Sequence, residues 1–122
     1  MLFNFRFNAH RAYDRLEELA KFGIKTAGSQ TSDQDVRLWI ENELKKIQAG
    51  AHERKKVEID TQYVSGSFHL SFSKRYTSVY DGVVNVVARL SDTRNNNTEA
   101  LLVNCHFDSV PASSGNCYMQ FL

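Results

Sequence analysis

Two nearly uninterrupted apolar runs constrain the fold of this chain more than any other sequence feature. They occupy residues 83–88 (VVNVVA) and 100–103 (ALLV), and a polar, Asn-rich loop over residues 91–98 separates them. Strands that are covered on both faces have continuous apolar runs, whereas strands with one face in water alternate apolar and polar residues. The two runs therefore predict two buried strands within a sheet.

Two amphipathic helices are predicted ahead of these strands, over residues 9–22 and 33–48. Asn8 is suited to cap the first helix, because its short side chain can accept a hydrogen bond from a free amide of the first turn. The apolar residues recur every three or four positions. They are Ala12, Leu16, Leu19 and Ala20 in the first helix, and Val36, Ile40, Leu44 and Ile47 in the second. The glycine-containing segment 23–29 is predicted to be the loop between them.

A β-hairpin is predicted between the second helix and the buried strands. Apolar or β-branched residues alternate with polar ones on both sides of Ser65-Gly66-Ser67, which is typical of strands with one face in water. These residues are Val57, Ile59, Thr61 and Tyr63, and then Phe68, Leu70 and Phe72. The pattern predicts strands over residues 56–64 and 67–73 with a turn between them.

Length, composition and charge exclude several classes of protein. The chain has 122 residues, 42% of them hydrophobic and 24% charged, which is typical of one globular domain. Fifteen Lys and Arg residues oppose fourteen Asp and Glu residues, so the charge does not favour nucleic acid or an anionic membrane as partner. No run approaches the roughly 18 apolar residues of a spanning helix, and Asn4 and Arg6 interrupt the apolar N-terminus. Neither a targeting nor a transmembrane segment is predicted.

The residues that carry chemistry follow the second apolar run, at His106 and Asp108. Open α/β sheets bind ligands just outside the carboxyl ends of their strands. In an extended backbone both side chains point to the same side, so Asp108 can accept a hydrogen bond from one imidazole nitrogen and leave the other free for a metal. The alternative is a hydrogen-bonded histidine at a strand end followed by a turn, because a catalytic zinc needs about three protein ligands.

Other polar residues give weaker signals. Cys105 and Cys117 leave one disulfide open as a possibility, and Cys105 is expected to be a buried structural thiol rather than a nucleophile paired with His106. His10, His52 and His69 lack metal-ligand spacing, so surface or packing roles are expected. The charged run 52–56 is expected to be a solvated loop, and Asn96 begins a glycosylation sequon.

Several elements and motifs, in their order along the chain, resemble the start of the di-zinc aminopeptidase family. They are the two helices, the loop GIKTAGS at 23–29, the hairpin, NVVA at 85–88 and NCHFDSV at 104–110. The likeness is greatest to its endoplasmic reticulum metallopeptidase branch and covers about residues 8–115. It implies an α/β class, namely an incomplete three-layer zinc-peptidase fold with two N-terminal helices, a β-hairpin and two buried strands of a mixed sheet. By the same resemblance His106 is a zinc ligand, and Asp108 is the residue that orients it.

The chain departs from the family pattern after Gly115. The family continues into Ala-x-Asp-Asp, whose first Asp bridges the two zinc ions, but here Tyr118 and Met119 occupy the two acidic positions. The family's remaining ligands and its general base lie beyond position 122. Residues 1–122 are therefore expected to be a truncated N-terminal part of a zinc metallopeptidase domain, with a divergent tail over 116–122 and no activity alone.

Three hypotheses for function follow. The first is a zinc-dependent exopeptidase of aminopeptidase type, acting on peptides in the lumen of the endoplasmic reticulum. The second is a non-catalytic protein-binding module of the same fold, and the third is a nonfunctional fragment. Self-association or a partner is expected in each case, because the predicted strands lack later elements to cover them. The open apolar face is expected at Val84, Val86, Leu102 and Cys105.

Overall fold

The computed structural model describes residues 7–69, 76–94 and 99–110. Its elements are helix α1 (Ala9–Ala20), a π-helical segment (Thr31–Val36) that continues into helix α2 (Arg37–Ala49), and strands β1 (Lys55–His69) and β2 (Thr77–Asp92). The described architecture is mixed, with two helices and a two-stranded antiparallel sheet. Predictions made for other positions lie outside the described residues; they concern Leu70, Phe72, Asn96, Gly115, Cys117, Tyr118 and Met119.

Both predicted helices are confirmed, with small differences at their ends. Asn8 caps α1, because its Oδ1 accepts a hydrogen bond from the Arg11 N–H at 3.0 Å. The α1 helix ends at Ala20, and Gly23 follows with a positive φ of 71° that suits a glycine just past a helix end. The second helical segment begins at Thr31 rather than residue 33 and runs as a π-helix until α2 begins. None of the described helices is long and apolar enough to cross a membrane.

The predicted pairing of strands 56–64 and 67–73 is wrong. The β1 strand continues without a turn through Ser65-Gly66-Ser67, and it pairs along its length with β2. The antiparallel register places Val57 opposite Leu90 and His69 opposite Thr77. The hairpin is therefore longer than predicted, and residues 83–88 belong to it instead of forming a separate strand.

The residues that predicted a turn form a β-bulge in the middle of this hairpin. Ser65 lies opposite two residues, Asp81 and Gly82, so the register shifts between Val64 and Gly66. Ser65 Oγ accepts a hydrogen bond from the Gly82 N–H at 2.9 Å and donates one to Asp81 Oδ1 at 2.7 Å. Gly82 has a φ of 64°, which glycine adopts without steric cost. Small and polar residues thus bend the hairpin without reversing the chain.

One face of the sheet packs against α2. The Thr61 hydroxyl donates to Glu41 Oε1 at 2.8 Å, and the Gln48 side-chain amide donates to the Val57 carbonyl at 2.7 Å. Residues directly opposite each other in an antiparallel pair share a face, so Val84, opposite Tyr63, also lies on this side. Val84 is buried, and so is Val36 at the end of the π-helical segment. The contact between α2 and the hairpin forms the apolar centre of the described residues.

The prediction of two strands covered on both faces is wrong for the described residues. Val84 is buried and Val86 is half-buried, contrary to the open face expected there, whereas Val87 on the opposite face of β2 is 41% exposed. The second apolar run forms no strand, and its Leu101 and Leu102 are 91% and 85% exposed. A strand requires a hydrogen-bonded neighbour, and no strand pairs with this run in the described part of the chain. The three-layer zinc-peptidase fold that the resemblance implies stays a prediction.

Candidate functional site

The predicted pair of His106 and Asp108 is in contact. His106 Nδ1 lies 3.2 Å from Asp108 Oδ1, which is a hydrogen bond between residues two positions apart. The His106 side chain is 91% exposed and the Asp108 side chain is 40% exposed. This is the hydrogen bond that the spacing allows, and it is compatible with both alternatives, a metal ligand and a hydrogen-bonded histidine without a metal. A carboxylate at Nδ1 favours the tautomer in which Nε2 is unprotonated and able to bind a metal.

Two hydrogen bonds attach this segment to the loop between the helices. The Lys25 N–H donates to Ser109 Oγ at 2.8 Å, and the Ser109 N–H donates to the Lys25 carbonyl at 2.8 Å. Lys25 is only 1% exposed, and its ammonium donates to the Gly23 carbonyl at 2.8 Å. Residues that are 84 positions apart in the sequence are therefore joined next to Asp108.

A cleft of about 500 Å³ separates β2 from the segment that carries His106. Residues 83–88 of β2 line one side, and residues 102–108 line the other. Ala27, Ser32 and Asp33 from the loop and the π-helical segment complete the lining, together with Gln62 of β1. Asp33 is held in place because its Oδ1 accepts a hydrogen bond from the Gly28 N–H at 3.2 Å. The cleft brings the imidazole, two carboxylates and an apolar strand to one place.

The amino-acid sequence of the chain also matches known proteins. The chain is 36% identical over 109 residues to endoplasmic reticulum metallopeptidase 1 from Mus musculus and to that from Homo sapiens. The protein of the same name from Rattus norvegicus is 32% identical over 109 residues. Each alignment covers 89% of this chain. The chain is homologous to a segment of the endoplasmic reticulum metallopeptidases.

The homology supports the resemblance that the motifs indicated. The chain spans 12% of the length of these three relatives. No protein-family model matches the chain, and no solved structure matches it with statistical significance. The relationship to the metallopeptidases therefore rests on sequence identity with whole proteins, over a small part of each.

The described residues do not form a metal site by themselves. The names of the relatives imply a metal cofactor, and an exposed imidazole with a carboxylate at its other nitrogen is a suitable ligand. Within residues 7–69, 76–94 and 99–110, however, no three His, Cys, Asp or Glu side chains are grouped so that they could hold a metal ion. His106 fits the role of one ligand, but this donor set does not hold a catalytic metal by itself.

The exposure of Cys105 differs from the predicted one. This residue was expected to be a buried structural thiol, but it is a free and exposed cysteine. The expectation depended on a strand over residues 100–105 packed on both faces, and that strand does not form in the described structure. Cys117, with which a disulfide was left open, lies outside the described residues.

The other histidines have local surface roles, as predicted. His10 is exposed in the first turn of α1. His52 Nδ1 accepts a hydrogen bond from the Arg54 N–H at 3.2 Å, and His69 Nδ1 lies 2.8 Å from the Thr77 hydroxyl. The charged residues 52–56 are exposed as predicted, but Lys55 and Lys56 begin β1 and do not belong to a loop.

The sequence argument missed the link between Lys25 and Ser109. Neither residue has a spacing that predicts chemistry, because the partners lie 84 positions apart and the contact uses backbone groups. The sequence did offer one signal, because Lys25 lies in the loop 23–29 and Ser109 in the segment 104–110, and both motifs contributed to the family resemblance.

Proposed function

We propose that this chain contributes part of the active site of a zinc-dependent exopeptidase of aminopeptidase type. In this proposal His106 is one zinc ligand, and Asp108 orients its imidazole. The observation that carries the proposal is the 3.2 Å contact between His106 Nδ1 and Asp108 Oδ1, on an imidazole that is 91% exposed at the edge of a cleft. The homology to metallopeptidases supports the same role.

The chemistry of this proposal divides between the metal and the protein. A bound zinc supplies a water of lowered pKa as nucleophile at neutral pH. The protein supplies the orientation of the ligand: the Asp108 carboxylate holds the Nδ1–H, so that the Nε2 lone pair is fixed in direction. Because the described residues provide one such ligand, the 122-residue polypeptide alone is proposed to lack peptidase activity.

The setting and substrates follow from the relatives. Their names place them in the endoplasmic reticulum and describe them as metallopeptidases. We therefore assign this chain to the lumen of the endoplasmic reticulum, with peptides as substrates. The sequon at Asn96 is compatible with that compartment.

Zinc titration followed by NMR of the histidine side chains tests the ligand role. The 122-residue chain contains four histidines, so His10, His52 and His69 are internal controls. The His106 signals should respond at a lower zinc concentration than the other three. Substitution Asp108→Ala should raise the zinc concentration needed at His106 by about tenfold or more, as loss of a ligand-orienting carboxylate does in other sites.

Two results would contradict the proposal. One is a His106 response at the same zinc concentration as the control histidines. The other is zinc-stimulated hydrolysis of an aminoacyl anilide that persists in the His106→Ala chain. The first would remove His106 as a preferred ligand, and the second would place the metal elsewhere.

A further inference from the structure

Within residues 99–110, side-chain exposure falls sharply where the segment contacts Lys25. Leu101, Leu102 and Val103 are 91%, 85% and 79% exposed, and residues 107–109 are half-buried. The half-buried part coincides with the two hydrogen bonds between Ser109 and Lys25. The segment that carries His106 is therefore held to the helical part of the molecule at its carboxyl end.

The contact between Lys25 and Ser109 satisfies a buried part of the backbone. Lys25 is 1% exposed, and buried amide and carbonyl groups need hydrogen-bond partners. Ser109 serves both groups: its Oγ accepts from the Lys25 N–H, and its N–H donates to the Lys25 carbonyl, each at 2.8 Å. A side-chain bond and a backbone bond to one residue restrict both the position and the direction of the chain at Ser109.

This restriction acts on the residue that orients the imidazole. Asp108 immediately precedes Ser109, and its Oδ1 is 3.2 Å from His106 Nδ1. Fixing the backbone at Ser109 therefore limits the positions that the Asp108 carboxylate can take. We propose that Ser109 is a positioning residue, which holds the Asp108 carboxylate against His106 by anchoring the segment to the Lys25 backbone. This inference rests on the proposed function for its link to metal binding.

The decisive measurement is the imidazole nitrogen spectrum of His106 without metal, in the 122-residue chain and three variants. Ser109→Ala removes the acceptor for the Lys25 N–H, and Ser109→Thr keeps a hydroxyl. Ser65→Ala is the matched control, because Ser65 Oγ also accepts a backbone N–H at 2.9 Å but lies at the hairpin bulge. Loss of the ordinary hydrogen bond between Lys25 and Ser109 should lower the equilibrium constant for the His106–Asp108 contact by up to about fivefold in Ser109→Ala.

The expected result is a shift of the His106 nitrogens toward those of an unrestrained imidazole in Ser109→Ala alone. Ser109→Thr should restore the parent signals, and Ser65→Ala should leave them unchanged. A Ser109→Ala chain that keeps its hairpin amide protection and also keeps the parent His106 signals would overturn the proposal. If Ser109 had only a structural role, the folded Ser109→Ala chain would keep the parent His106 signals in this way.

A second measurement covers the case in which Ser109→Ala does not fold. In the unsubstituted chain, the Lys25 and Ser109 amides should exchange with deuterated solvent more slowly than those of Leu101 and Leu102, which are exposed and outside any strand. Equal exchange rates would show that the anchor is absent. Both readouts are made without zinc, so failure of zinc binding at His106 would count against the proposed function and not against the anchor.

Discussion

Glu41 on α2 accepts two hydrogen bonds, one from Thr61 of β1 and one from Arg37 of its own helix. Its Oε1 accepts from the Thr61 hydroxyl at 2.8 Å and from the Arg37 guanidinium at 2.7 Å, and its side chain is 12% exposed. These donors favour the charged carboxylate, so the hydrogen bond from Thr61, followed by that from Arg37, lowers the pKa of Glu41 below its ordinary value of 4.5. A lowered pKa in the folded state means that the carboxylate stabilises the fold above pH 4.5 and loses this effect as the pH falls.

Replacing Glu41 with Gln should therefore destabilise the chain in a pH-dependent way. At pH 7 we expect Glu41→Gln to lower the free energy of unfolding by about 1.5 kcal/mol, as loss of hydrogen bonds to a charged group does. The difference from the parent should shrink as the pH falls below 4.5, because a protonated Glu resembles Gln. Urea denaturation at several pH values measures this, with the exposed Glu17→Gln on α1 as control. A difference that does not change with pH would contradict the ionic role of Glu41.

At the same scale, local spacing predicted part of the site and missed the rest. The two-residue separation of His106 and Asp108 predicted their hydrogen bond, because such a contact depends mainly on local backbone geometry. The bonds between Lys25 and Ser109 depend on how the chain returns after 84 residues. No local pattern shows that Ser109 lies next to Lys25, so the sequence alone could not predict these hydrogen bonds.

The hairpin shows how an element can be recognised while its limits are misplaced. Alternation of residues predicted strands on both sides of Ser65-Gly66-Ser67, and those residues do lie in a hairpin. Small polar residues favour turns and bulges alike. Here Ser65 faces Asp81 and Gly82, so the small residues of both strands meet at a bulge. Deciding between a turn and a bulge requires knowing the partner strand, which local sequence does not specify.

Gly82 is the residue at which this bulge should be most sensitive. Its φ of 64° is unfavourable for any residue with a Cβ atom, although no other atom lies within 4 Å of where that Cβ would be. We expect Gly82→Ala to lower the free energy of unfolding by about 1–2 kcal/mol, from backbone strain alone.

The matched control for Gly82 is Gly50, which ends α2 with a φ of −90° and where an added Cβ would make ordinary contacts. Thermal and urea denaturation should therefore show Gly50→Ala to be close to the parent. If both substitutions have equal effects, the strain assigned to Gly82 is not the cause.

The described molecule leaves much apolar surface uncovered. Leu90 and Val79 on β2 are 70% and 75% exposed, in addition to Leu101, Leu102 and Val103. The sequence predicted an open apolar face, and this is confirmed at Leu102 and Cys105. It misplaced the rest of that face, because Val84 is buried and Val86 is half-buried in β2, which contacts α2. An apolar run shows that its residues favour burial. Which of them are buried depends on how the helices and strands pack together.

Self-association of the 122-residue chain should follow from this surface. Burying one exposed leucine side chain contributes about 1.5–3 kcal/mol, so two adjacent leucines that are 91% and 85% exposed favour association strongly. We expect the sedimentation coefficient of the parent to rise with concentration. The double substitution Leu101→Asp, Leu102→Asp should weaken association at least about tenfold, since 1.4 kcal/mol corresponds to that factor. Ile47→Asp, at an exposed position on α2, should behave like the parent. A parent chain that sediments as one monomer, melts cooperatively and binds no apolar dye would show that residues 101 and 102 are covered within a single chain.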